Sequence, residues 1–166
     1  MPLGPFRDID EPIIGEIETS YFKGQSLTMS LVHDCTPELF RSFMPVRKTF
    51  QSIDQEAIVY DIRVYPKDYY TTFNPAKEYT KWAAVRISED RFQDAGEDYI
   101  SISAGLYAQF TIHSNMIPPN LYQYIFTTWI TESSYQLDDR PHFDRLWPHP
   151  HQRGTVIKQV ITIPII

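Results

Sequence analysis

Tyr99-Ile-Ser-Ile-Ser-Ala-Gly-Leu-Tyr-Ala-Gln-Phe-Thr-Ile-His113 opens the second half of the chain, and its reading decides the fold. Ile100, Ile102, Leu106, Phe110 and Ile112 fall at even positions, the period of two that gives a strand one apolar face. Gly105, which lacks a Cβ, marks where that strand relaxes or turns. The first half opens in the same way: Ile13 to Phe22 sets Ile13, Ile17 and Tyr21 against Glu16, Glu18 and Ser20 and reads as a half-buried strand.

Each opening strand is followed by a helical pattern. Thr36 can cap a helix, Pro37 suits its first turn, Glu38 favours the positive end of the dipole, and Leu39, Phe40, Phe43 and Phe50 follow at helical spacing. Pro45 removes a backbone donor, so a kink or early stop is expected near Met44. In the second half, Pro118 and Pro119 precede Leu121, Tyr122, Ile125, Trp129 and Ile130 on one helical face, ended by Ser133 and Ser134. Two strands follow each helix: Ala57–Tyr65 and Tyr79–Ile87, separated by a long aromatic loop over Pro66–Lys77, and then Arg140–Trp147 and Val156–Ile163, closed by Pro164.

A strand-helix-strand-strand unit therefore appears twice. Each unit alone is too small to bury a core, so pairing the two shares one core and leaves a groove between them. The expected class is α+β, with residues 1–10 as an N-terminal tail, 11–166 as a single domain, and pseudo-repeats at about 11–90 and 97–166. Composition agrees with a globular chain of this size: 166 residues, 42% hydrophobic, 22% charged, mean hydropathy -0.35. A net charge of -6, with the basic residues unsegregated, disfavours direct nucleic-acid binding. The lack of a long apolar run and of an N-terminal leader pattern points to the cytoplasm and away from the membrane. The single Cys35 cannot form an internal disulfide and reads as a small packed side chain.

Several segments carry a resemblance. Leu39-Phe-Arg-Ser-Phe-Met-Pro-Val-Arg47, Tyr79–Val85, Ala104–Phe110, Tyr124–Trp129, Tyr135, Asp139-Arg-Pro-His-Phe143 and Ile163-Pro-Ile165 occur in the order found in GyrI-like proteins of the bacterial regulator effector-binding superfamily. The chain resembles a stand-alone member of that family. The resemblance implies duplicated strand-helix-strand-strand units forming an antiparallel sheet with two helices and a central aromatic cleft, which in multidrug-responsive relatives accepts bulky lipophilic or cationic compounds. The family's cleft glutamate after Arg-Pro-His-Phe is Asp144 here, one methylene shorter, and further acids common before the last strand are absent from Gly154–Gln159.

Asp144, flanked by Phe143, Leu146 and Trp147, is the first candidate for attracting a cation, against the plainer reading of a surface carboxylate paired with Arg140 or Arg145. Trp82, Tyr107, Phe110 and Trp129 offer flat faces to a ligand, with core packing the stronger reading for Phe110 and Trp129. Tyr60 and Tyr107 add hydroxyls, and Phe143 completes the expected lining. His142, His149 and His151 lack the companions that a metal set needs, and the scattered glycines form no phosphate loop, so neither metal nor cofactor is expected. The functional expectation is capture of a small lipophilic or cationic effector. The alternatives are hydrolysis of a reactive electrophile by Asp144 with Tyr107, some relatives being hydrolases, and a protein-interaction role with a regulator or gyrase as partner. No recognition-helix pair supports transcriptional regulation by this chain alone.

Overall fold

The structure, a computed structural model, describes residues 1–114 and 116–166. In chain order the elements are β1 (Pro2–Leu3), β2 (Phe6–Asp10), β3 (Ile13–Ile17), β4 (Ser20–Met29), α1 (Thr36–Phe43), β5 (Val59–Val64), β6 (Tyr79–Ile87), β7 (Tyr99–Ile102), β8 (Gly105–Ile112), α2 (Leu121–Tyr124), α3 (Ile130–Glu132), β9 (His142–Pro148) and β10 (Val156–Ile165). Apart from the β1–β2 hairpin, the strands form one sheet in the order β3-β8-β10-β9-β5-β6-β4-β7, and its pairings are antiparallel.

That order contains the duplication. One unit contributes β4, β5 and β6, the other β8, β9 and β10, and the two meet where β5 pairs with β9, with Asp61 opposite Asp144. The stretch Ile13–Phe22, expected as one strand, is two. It breaks at Glu18–Thr19, and β3 and β4 lie far apart in the strand order although two residues join them. Ser103–Ala104 join β7 to β8 in the same way, and the Ala104 amide donates to Thr19 Oγ1 at 3.1 Å. A sheet whose ends are joined by such short corners has to curl, and the result is a half-barrel with a concave inner face.

Directly paired residues on neighbouring strands share a face, so the register sorts the core. Phe22, Tyr60, Ile62, Trp82, Tyr107, Phe143, Trp147 and Val160 cluster on the concave face. The outer face carries one cluster under each helix: Met29, Leu39, Phe43, Val59, Ala83 and Val85 under α1, and Ala108, Phe110, Leu121, Ile125, Ile130, Ile161 and Ile163 under α2–α3.

Local chemistry accounts for the helices. Cys35 is the N-cap of α1, and the Thr36 amide is held by Asp34 Oδ1 at 2.9 Å, so Thr36 is the first helical residue and not the cap. The α-helix stops at Phe43, and Met44–Phe50 continues as a tighter 3-10 turn, as Pro45 requires. Between α2 and α3, Ile125–Trp129 is π-helical. The wide turn spaces the buried Leu121, Ile125 and Ile130 by four and then five residues, so that of Trp129 and Ile130, both expected on this face, Ile130 is buried and Trp129 is partly buried beside it.

Two further expectations are corrected. Residues 1–10 are not a free tail: they form the β1–β2 hairpin, and Leu3 and Ile9 are 0% and 2% exposed in the cluster beside Phe110. Pro164 does not close the last strand but lies within β10 opposite Tyr107, near the strand end, with its carbonyl accepting the Asp138 amide at 3.1 Å.

Candidate functional site

The concave face gathers four of the residues expected to line a cleft. Tyr60, Trp82, Tyr107 and Phe143 all lie there, each less than a tenth exposed. Phe22 meets Tyr60 edge-on at 4.8 Å between ring centroids, and Phe143 lies 6.1 Å from Tyr60 and 5.7 Å from Tyr107. These rings form one packed cluster. Beside them lies a recess of about 280 Å³, lined by Ile17, Glu18, Ser20, Phe22, Tyr60, Arg86, Gln109, Phe143 and Arg145.

Apart from the Tyr60 hydroxyl, the polar side chains of the recess, Arg86, Gln109 and Arg145, are not among the ligand-binding residues expected from the sequence. Arg145, half-buried, donates to Gln109 Oε1 at 3.0 Å and packs its guanidinium over Trp147 at 5.4 Å. Arg86 lies 3.8 Å from Asp54, whose carboxylate also accepts the Tyr60 hydroxyl at 3.1 Å. Burial raises the Asp54 carboxyl above its ordinary range against the opposing pull of Tyr60, Arg86 and Arg145. Burial, and then the Asp54 charge, raise the Tyr60 phenol too, so it stays a neutral donor.

Asp144 is on the other face. It pairs opposite Ile161 and Asp61, both on the helix side of the sheet, and is 1% exposed. Its Oδ1 is 2.8 Å from Arg63 Nη2, while Oδ2 accepts Gln159 Nε2 at 2.7 Å and the Tyr122 hydroxyl. Neither Arg140 nor Arg145 is its partner. Asp61 mirrors it, 3.2 Å from Arg63 Nη1 and 3.2 Å from Lys81 Nζ, which in turn donates to Thr36 Oγ1 at 2.9 Å. The two central carboxylates are thus matched by two cations, and the network ties the junction of the halves to the start of each helix. Burial works against the Arg63 charge, but Asp144, Tyr65 and Asp61 together outweigh it and hold the guanidinium above its ordinary value. Beside this network His142 is 2% exposed, stacked on Tyr70 at 5.7 Å and flanked by Tyr65 and Phe126. Burial and then the Arg63 charge push it well below the usual imidazole range.

Phe110 and Trp129 also belong to the outer face, meeting edge-on at 5.2 Å in the cluster under α2–α3, so they do not share a wall with Tyr60 or Phe143. Tyr107 and Asp144 point to opposite sides of the sheet. The Tyr107 hydroxyl donates to the Ser103 carbonyl at 3.1 Å, and Arg140 covers its ring at 4.5 Å. These two side chains therefore do not form one catalytic pair. His149 Nδ1 accepts the amides of His151 and Gln152 within its own loop, and among the described residues no three His, Cys, Asp or Glu side chains are grouped to hold a metal. Cys35 is a half-buried free thiol.

A curled antiparallel sheet built from two strand-helix-strand-strand units, with an aromatic half-barrel between them, is the effector-binding fold of bacterial regulators. The model of the integron-associated effector binding proteins (Cass2) matches residues 18–165, and the chain belongs to that family. Similar solved structures include the EcmrR C-terminal domain (TM-score 0.62, 10% identity, 94% of this chain and 97% of that one) and an integron cassette protein from the mobile metagenome of Vibrio cholerae (TM-score 0.56, 12% identity, 95% and 97%). A third is SAV2435, solved bound to tetraphenylphosphonium (TM-score 0.59, 12% identity, 95% and 94%). No curated protein sequence matches the chain. Among the described residues no helix is long and apolar enough to cross a membrane.

Proposed function

We propose that this chain takes up one small lipophilic molecule in the concave recess and acts as an effector-binding module. The observation that carries the reading is the open volume of about 280 Å³ beside Phe22, Tyr60 and Phe143 on the concave face. Ligand sites are concave and mostly apolar, with a few placed polar groups, and typically run to roughly 300–1,000 Å³. A recess just below that range suits a molecule of one or two rings. Family membership and the tetraphenylphosphonium-bound relative support a lipophilic occupant.

The test uses the protein's own fluorophores, since Trp82 and Trp147 lie on the concave face. Titration with naphthalene derivatives should quench their emission saturably. Ser20→Phe, which places a ring on a buried wall of the recess, should weaken that binding at least tenfold. Unchanged affinity in Ser20→Phe would place the ligand elsewhere.

A further inference from the structure

The alternation of the strands separates the charges of the sheet by face. On the concave side the ladder positions of β3–β10 include Arg86, Arg145 and Lys158 and no acid. The sheet's acids Glu16, Asp61 and Asp144 face the other way, opposite Leu106, Ala83 and Ile161. Among the described residues the acid lining the recess is Glu18, from the exposed corner, while Asp54, from the loop before β5, stands behind it shared between Tyr60 and Arg86.

Arg145 feels Asp54 only from beyond ion-pair distance. Among the described residues no carboxylate lies within ion-pair distance of it, and the hydrogen-bond partner of its guanidinium is the neutral Gln109 amide. A guanidinium offers five donors in a planar fork that matches a carboxylate or phosphate, so most of that capacity is free. The buried Thr162 hydroxyl, also without a partner, sits between Gln109 and Phe143 in the same cross-strand row of the concave face.

We infer that the effector is an aromatic anion: its ring wedges among Phe22, Tyr60 and Phe143, and its acidic group is forked by Arg145 with Arg86 alongside. This rests on the recess being the effector site and adds the sign of the ligand's charge. It inverts the expectation attached to Asp144, whose charge is matched by Arg63 on the opposite side of the sheet.

The experiment compares three probes at low ionic strength by quenching of tryptophan emission: 2-naphthoate, its neutral isostere naphthalene-2-carboxamide, and the cation tetraphenylphosphonium. The expected result is naphthoate binding at least tenfold tighter than the amide and tighter than the cation. In Arg145→Gln, and separately in Arg86→Gln, that preference should shrink toward unity. Arg41→Gln, an exposed charge on α1, should leave the preference intact. Equal binding of acid and amide, or a preference for tetraphenylphosphonium, overturns the anion inference and leaves the effector reading standing. Failure of all three probes to quench overturns the effector reading itself.

Discussion

Around the Asp144 carboxylate stand Arg63, Tyr122 and Gln159, all buried or nearly so, and this enclosure decides what the residue does. A buried ion pair stabilises little relative to an apolar pair of the same volume, but removing one partner strands the other, at a cost of about 3–5 kcal/mol. Asp144→Ala should therefore lower stability by about that much, whereas Arg63→Met with Asp144→Leu should recover most of the loss. Urea denaturation of Asp144→Ala and of the double variant gives the answer; equal stability of Asp144→Ala and the parent would mean the pair is solvated in solution. His142 supplies a second handle. Its folded pKa lies below the unfolded value of about 6.5, so the unfolded chain binds the proton first, and stability is complete above about pH 6.5 and declines as pH falls. The slope reaches about 1.4 kcal/mol per pH unit for one such group. His142→Phe keeps a ring against Tyr70 and Phe126 and should flatten the dependence of melting temperature on pH between about 5 and 6.5; an unchanged slope would assign the acid sensitivity to other groups. Sequence reading picked out Asp144 as the unusual carboxylate of β9 but could not orient it. Both faces of that strand are covered, so Phe143, Asp144 and Arg145 show no polar face to set the register.

At the level of elements, the longer strands and the helices were legible from their periodicity and β-branched content, even where both faces are buried as in β6 and β10, and the corners and the N-terminal hairpin were not. Glu18–Thr19 has the alternation of a continuing strand, and what breaks it there is the closing of the half-barrel, a long-range demand that ten local residues do not display. The π-helical stretch is equally hidden, because Ile125–Trp129 alone fits an ordinary α-helix, and the wide turn appears only once Ile130 packs under the sheet. Gly24 shows the same limit from the other side. It sits in β4 opposite Ala84, and a Cβ there would fall 2.0 Å from the Ala83 carbonyl oxygen and 2.6 Å from the Ala84 Cα. Both obstacles are backbone, so no rotamer change relieves them. Gly24→Ala should force β4 away from β6 and destabilise by at least about 1–3 kcal/mol, as overpacking does. The matching Gly15→Ala, where a Cβ meets nothing within 4 Å, should stay within about 0.5 kcal/mol of the parent, as open surface substitutions do. Thermal melts of the pair check this; comparable melting temperatures would show that the ladder yields at Gly24.

Across the whole molecule, the two units are not equally furnished, and the N-terminal residues supply the difference. The cluster under α1 is backed by Phe43, Phe50, Tyr69 and Tyr79, whereas the cluster under α2–α3 is completed by Leu3 and Ile9 of the β1–β2 hairpin. Gly4 lets that hairpin turn at φ 48°, and an added Cβ there would meet the Tyr124 hydroxyl, so the turn is pressed against α2. In the sequence, Met1–Asp10 reads as a tail because two prolines, a glycine and three charges surround only a few apolar residues, and its partner cluster lies about a hundred residues further on. The structure makes it the plug of the second core. Truncating a fully buried Leu or Ile to Ala costs about 2–5 kcal/mol, so Leu3→Ala and Ile9→Ala should each move the urea midpoint markedly, and deletion of residues 1–10 should cost more than either. The deletion should also speed amide exchange in β8 and β10, which lie under the hairpin, before it affects β4 and β6. A truncated chain with an unchanged midpoint and uniform exchange would mean that the hairpin rests on the core without closing it.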